Sequence, residues 1–221
     1  MNIILEDAAL LVIDKPAGLS TESGISPHPS AEVEMLAYVT ENLNRDVEVG
    51  GFKKAAYLRA VHRLDRPASG ILIFAKAKHY LTEMMLQFER GQVQKSYRAQ
   101  VSIAPPETEG VLSHFIKKDE TGRKSLVFDH AETGAQPCSL HYKVLSEKDG
   151  ETLLEIVPST GRFHQIRAQL AHIGSPIVGD VQYGGQPWLE HSIKLHACRL
   201  ALLHPRTEED LILTLDTPGN W

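Results

Sequence analysis

The chain has 221 residues and a formal net charge of −5, with ordinary shares of apolar and charged side chains. That length suits one or two domains whose cores need no covalent staples, and that composition excludes a disordered chain. No apolar run approaches the roughly 18 residues of a membrane span. The start, Met1 to Asp7, lacks the basic stretch and apolar core of a signal peptide, so a cytoplasmic protein is expected.

Leu10-Leu11-Val12-Ile13 predicts a strand that ends in the turn residues Lys15-Pro16-Ala17-Gly18. Residues 20–30, rich in Ser, Gly and Pro, predict a loop. Ser30 predicts the N-cap of a helix over residues 31–43, in which Val33, Leu36, Ala37, Thr40 and Leu43 keep helical spacing. Gly50-Gly51 breaks the chain. Pro67 holds Arg66 extended, and Ser69-Gly70 turns the chain into Ile71-Leu72-Ile73-Phe74-Ala75, which reads as a strand buried on both faces. Tyr80, Leu81, Met84, Met85 and Phe88 predict a helix stopping near Gly91.

Residues 93–103 alternate, with Val93, Lys95, Tyr97, Ala99, Val101 and Ile103 on one face. Residues 104–150 are polar and look strand-poor, like an insertion or flank of the main core. Leu153 to Val157 predicts a strand ended by Pro158, and 163–173 a helix capped by Gly174. Late strands are expected at 195–203 and 211–215. Strands outnumber helices without alternating regularly with them. That predicts an α+β fold with a mixed, largely antiparallel sheet and flanking helices.

The charge is unevenly spread. Residues 1–50 hold nine acidic and two basic side chains, whereas 53–98 hold ten basic and three acidic. A basic stretch of this kind can make a positive face for a phosphate backbone, or it can be a solvated surface of mixed charge. Cys138 and Cys198 match no CxxC pattern and read as idle thiols. The eleven histidines make neither HxxxH nor HExxH spacing, and no GxGxxG or GxxxxGK[ST] occurs. Metal and nucleotide cofactors are therefore not expected.

Two constellations could carry chemistry. Asp65 stands between Arg63 and Arg66 at the entrance of the 71–75 strand. It is either a turn aspartate with a local ion pair or a carboxylate that cations keep ionised, as a nucleophile requires. The turn Ser159 to Arg167, from strand end to helix start, is either a capped helix with surface arginines or an anion site built on free backbone N–H groups, with Arg162 and Arg167 nearby. Tyr97 is either a core tyrosine or a ring that stacks on a base.

His62-Arg63-Leu64-Asp65-Arg66-Pro67-Ala68-Ser69-Gly70, followed by Ala75-Lys76, resembles the HRLD-x-x-x-SG motif of the RluA-type RNA pseudouridine synthases. Asp14-Lys15-Pro16-Ala17-Gly18-Leu19, Lys95-Ser96-Tyr97-Arg98-Ala99 and Thr160 to Arg167 match the same family in order. Gly179-Asp180 with Tyr183-Gly184, and Leu195-His196-Ala197 with His204-Pro205, extend the match over roughly residues 5–217. Phe163 departs from many relatives, which carry a small hydroxyl residue there.

The resemblance implies an isomerase that converts uridines of rRNA or tRNA to pseudouridine by flipping the base, with no cofactor and no metal. Asp65 would be the catalytic aspartate, and Arg167 would pair with it and hold it. Tyr97 would stack on the uracil and assist removal of the C5 proton. Arg63 would take the place of the flipped nucleotide, Ile166 would wall the base, and Lys15 and Arg162 would contact RNA backbone. A central catalytic cleft is implied. The expected organisation is one catalytic domain over 1–221, monomeric, with no S4-type RNA-binding domain ahead of it. An inactive RNA-binding module and an RNA N-glycosidase are the alternatives. The first need not keep Asp65, Tyr97 and Arg167 together, and the second would release free uracil.

Overall fold

The computed structural model describes residues 1–23, 29–45 and 54–221, so the Gly50-Gly51 break and part of the 20–30 loop lie outside the described residues. In chain order the elements are β1 (Asn2–Glu6), β2 (Leu10–Lys15), α1 (Ala31–Leu43), β3 (Arg59–Ala60), β4 (Ser69–Ala75), α2 (Lys78–Glu89), β5 (Gln94–Val101), β6 (Glu109–Lys118), β7 (Ser125–Phe128), β8 (Gln136–Lys148), β9 (Glu151–Pro158), α3 (Gln165–His172), β10 (Leu195–Leu203) and β11 (Asp210–Thr214). The chain divides into two units, Met1–Val93 with Ala201–Leu213, and Gln94–Leu200 with Thr214–Trp221. The ladders within them are antiparallel, and the architecture is α+β as expected.

In the first unit β2 lies between β1 and β4, in register from Leu10↔Ala75 to Lys15↔Gly70. Leu10 to Ile13 and Ile71 to Ala75 are fully buried. This is why both segments read as unbroken apolar runs: neither face meets water. Ser30 caps α1 by accepting a hydrogen bond from Val33 N at 3.3 Å. The helix packs Ala31, Met35 and Val39 against Leu11, Ile13, Leu72 and Phe74. Each large side chain buried in this way contributes about 1.5–3 kcal/mol. The stripe differs from the expected one. Val33 and Leu43 point outward, at 52% and 47% exposure, because the buried spacing runs 31, 35, 39.

The return segment 201–213 is fastened to this unit by polar bonds. Gln87 brackets Leu203, donating to its carbonyl at 2.9 Å and accepting from its amide at 3.0 Å. His204 Nε2 meets Asp7 Oδ2 at 2.8 Å.

In the second unit the strand order runs from β10 through β5, β9, β8 and β6 to β7. Tyr97 on β5 faces Ile156 on β9. β5 ends at Val101, and Ile103, expected on the same face, is 58% exposed beyond it. The strand-poor reading of 104–150 is corrected: β6, β7 and β8 occupy much of it. Their side chains are largely polar because much of their surface meets water, and only alternate positions such as Leu112, Ile116, Cys138 and Leu140 are buried. α3 closes a small core of Ala168 with Ile116 and Cys138.

Candidate functional site

Asp65 is half-buried in a turn closed by Ala68 N, which donates to the Asp65 carbonyl at 3.0 Å. The residue before it is clamped from both sides. Thr21 Oγ1 accepts from Leu64 N at 3.1 Å and donates to Leu64 O at 3.0 Å. Behind the turn, Gly18 N donates to Arg66 O at 2.8 Å, and Arg66 Nε returns a bond to Gly18 O at 2.9 Å. Arg63, two residues ahead of Asp65, is exposed.

Lys15 is a correction. It was expected to reach RNA backbone, but its side chain is fully buried. Its ammonium donates to the carbonyls of Pro16 (2.8 Å), Leu19 (2.8 Å), Ala68 (2.6 Å) and Arg66 (3.4 Å). A lysine therefore stitches the Pro16–Leu19 turn to the turn that carries Asp65. Desolvation pulls its pKa down to about 8, against the opposing pull of the Asp65 and Asp14 carboxylates. The group stays charged at neutral pH.

Lys15→Met is expected to cost about 2 kcal/mol, because buried carbonyls lose their donor. The wild type carries a pH signature as well. The folded pKa of about 8 lies below the reference value of 10.5, so the unfolded chain binds more protons in that interval. This group's contribution to stability therefore rises with pH between those values, and its burial cost is fully present below them. Urea melts across that window test both points. A wild-type-minus-variant difference that stays flat would remove the lysine from this role.

In the second unit, Arg167 is buried at the start of α3. Its Nε lies 2.7 Å from Asp180 Oδ2 and its Nη2 lies 2.9 Å from Asp180 Oδ1, with Gln182 Oε1 at 2.8 Å from the same Nη2. This fork-on-carboxylate arrangement fixes the plane of the guanidinium. Asp180 follows Gly179, whose φ of +89° and close approach to Ser192 O leave no room for a Cβ. Ile166 is buried beside Arg167, and Tyr97 is half-buried on β5. Arg162 is exposed, with Nε on Pro137 O at 3.3 Å.

The turn before α3 does not offer the open row of amides expected of an anion site. Gln165 Oε1 accepts from Arg162 N at 3.0 Å and from Thr160 Oγ1 at 2.7 Å, while Ser159 N and Gln165 N donate to Ser139 O and Arg162 O. His164, at φ 51°, makes the bend into the helix.

Asp180, Gln182, Gln165 and Thr21 received no role from the sequence. The only signal for Asp180 was its glycine neighbour within the family motif. Gln165 lies within the matched segment Thr160 to Arg167, and nothing local marks Gln182 and Thr21, whose partners lie 15 to 59 residues away.

His114, Asp129 and His172 are the one group among the described residues whose donor atoms converge as metal ligands would. His172 Nε2 binds Asp129 Oδ1 at 2.8 Å, and His114 Nε2 lies 3.8 Å from the same oxygen. Gln169 Nε2 donates to both Leu112 O (3.2 Å) and His114 Nδ1 (3.0 Å). An accepting Nδ1 puts the neutral imidazole's proton on Nε2, the atom a metal would need. Burial and the His172 charge also lower the His114 pKa. The cluster reads as two histidines sharing the Asp129 carboxylate, with Gln169 fixing the His114 ring.

A family model described as RNA pseudouridylate synthase matches residues 9–172, which spans parts of both units. The tRNA pseudouridine synthase C of Yersinia pestis is 30% identical over the whole chain and 88% of its own length. The ribosomal large subunit pseudouridine synthase C of Buchnera aphidicola is 31% identical over 96% of the chain and 65% of its own. Among solved structures, human RNA pseudouridylate synthase domain containing 4 superposes with a TM-score of 0.75 at 25% identity, covering 99% of this chain and 89% of that one.

Proposed function

The chain belongs to the RluA-type family of RNA pseudouridine synthases, isomerases acting on RNA, and from that premise we propose that Asp65 carries the reaction on a uridine flipped out of tRNA or rRNA. The observation that carries this reading is the bracing of Asp65. Leu64 is clamped by Thr21, the turn is pinned by the buried Lys15 ammonium, and the carboxylate is left at a half-buried position beside an exposed Arg63. Such bracing holds a catalytic group in place without reorganisation during the reaction.

Pseudouridine formation breaks the N1–C1′ bond, turns the base, joins C5 to C1′, moves the C5 proton away and returns one to N1. Product and substrate are isomers, so no oxidant, donor or cofactor enters. A stacked base cannot turn in place, and flipping it costs a few kcal/mol. Arg63 offsets part of that by filling the gap and touching phosphate. Asp65 works at the ribosyl centre, by attack at C1′ or by stabilising and deprotonating the sugar while the base is detached. Both routes give the same product. Tyr97 stacks on the uracil and assists loss of the C5 proton, Ile166 walls the base, and Arg167, held in plane by Asp180, orients Asp65. Arg162 contacts backbone.

The test is a comparison of pseudouridine maps of total RNA from cells with and without the gene. Sites lost on deletion and restored by the wild-type gene support the reading. Release of free uracil in place of pseudouridine would turn it to a glycosidase.

RNA affinity is expected to fall steeply with salt despite the acidic total charge, because the basic bias of 53–98 neutralises phosphates and releases counterions. About four such contacts give about a hundredfold loss between about 50 and 200 mM salt. Titrations that show no change over that range would turn this stretch away from the RNA.

A further inference from the structure

We propose that the second unit holds a pocket for an unpaired nucleotide of the RNA other than the target uridine, with Phe163 as the surface on which its base stacks. This rests on the RNA-modifying reading above. The pocket has a volume of about 380 Å³, at the small end of the range that holds ligands. Ile116 and Ser125, both buried, line it together with the ring-bearing Phe163. Lys117, Lys118 and Arg162 supply positive charge around it. None of Asp65, Tyr97 and Arg167 lines it.

The ring is held rigidly. One face of Phe163 stacks on His164, with ring centroids 3.8 Å apart and planes 21° apart. The Phe163 carbonyl accepts from Ser125 Oγ at 2.5 Å. The Lys118 ammonium lies 4.7 Å from the ring centroid, on a long exposed side chain that can swing to a phosphate when a base arrives. Lys117 is anchored by Thr133 O at 3.2 Å, with the Glu132 carboxylate 3.7 Å away as the local counter-charge. Arg123 and Lys124 add charge on the neighbouring loop, which Asp119 shapes by accepting from both of their amides.

An aromatic ring, the buried Ile116 and a cationic rim are the chemistry of a base with its phosphate. A base inside a duplex has no free face to offer Phe163, so the pocket selects an unstacked nucleotide. This makes it a specificity device: RNA with an unpaired nucleotide at the right distance from the target gains a contact that continuous duplex does not.

The probes are a fluorescein-labelled oligouridylate of about twelve nucleotides and a blunt RNA duplex of equal length, bound to the whole protein. Phe163→Ala is expected to weaken oligouridylate binding about tenfold, with duplex affinity within about twofold of wild type. Phe163→Tyr is expected to retain both. Phe163→Leu, which keeps the apolar filling, is expected to lose oligouridylate as the alanine variant does, and so guards against simple unfolding. Wild-type oligouridylate affinity in Phe163→Ala and Phe163→Leu overturns the pocket, as does equal loss on both probes. Pseudouridine formation is measured on the same preparations. A wild type that forms none while Phe163→Ala still loses oligouridylate overturns the enzymatic reading and keeps the pocket. A wild type that modifies RNA while Phe163→Ala binds normally overturns the pocket alone.

Discussion

Asp65→Asn is expected to abolish pseudouridine formation, by about 10⁴-fold or more, while fold and RNA affinity stay near wild type. The amide is nearly isosteric with the carboxylate. The turn is held by Ala68 N on Asp65 O and by Lys15 Nζ on Ala68 O; both bonds end on backbone carbonyls that the substitution leaves in place, and Asp14 still supports the Lys15 charge. What disappears is the negative charge and the oxygen nucleophile. Tritium release from 5-labelled uridine in target RNA reads the reaction, filter binding reads affinity, and circular dichroism reads the fold. Turnover within about tenfold of wild type by a cleanly purified variant would remove Asp65 from the centre of the chemistry.

The second large effect is expected on stability. Arg167 and Asp180 have side chains 4% and 1% exposed and share two short hydrogen bonds. Two charges withdrawn from water in this way gain little over an apolar pair, but removing one partner takes the bidentate counter-charge from the other. Asp180→Ala is therefore expected to cost about 3–5 kcal/mol, a large share of the roughly 5–15 kcal/mol that holds a domain folded. The double substitution Arg167→Met with Asp180→Leu separates structure from function. It is expected to recover most of the lost stability but no turnover, because the double variant lacks the Arg167 guanidinium that orients Asp65. Denaturant melts and single-turnover assays on both proteins decide it. A double variant that is stable and active would leave Arg167 as scaffold.

What could be read from the residues depended on how far each interaction reaches. Ser30 was legible as a cap because its bond to Val33 spans three residues. The buried run 71–75 was legible because both faces of β4 are covered, and burial writes itself directly into composition. The face of α1 was misread because Val33 and Leu43 are apolar yet exposed, while Glu32 is 8% exposed and pairs with Arg59 at 2.7 Å. β6 and β8 were missed because one face of each meets water and their polar side chains dilute the alternation. Lys15 was misassigned for a physical reason. A lone lysine belongs in water unless several acceptors surround it, and two of its four carbonyls lie more than fifty residues away. Asp180, thirteen residues on from Arg167, was marked only by its place in the family motif. Motif order identified the family, but the bracing of its carboxylate needed coordinates.

The discontinuous first unit has a consequence for synthesis on the ribosome. Residues 1–93 emerge early, yet the segment 201–213 that Gln87 and His204 fasten to them is made more than a hundred residues later. The long stretch Gln94–Leu200 of the second unit emerges before that segment, and Thr214–Trp221 of that unit emerges after it. The segment bearing Asp65 therefore waits, and the nascent chain cannot complete the first unit until residues through Leu213 have left the exit tunnel.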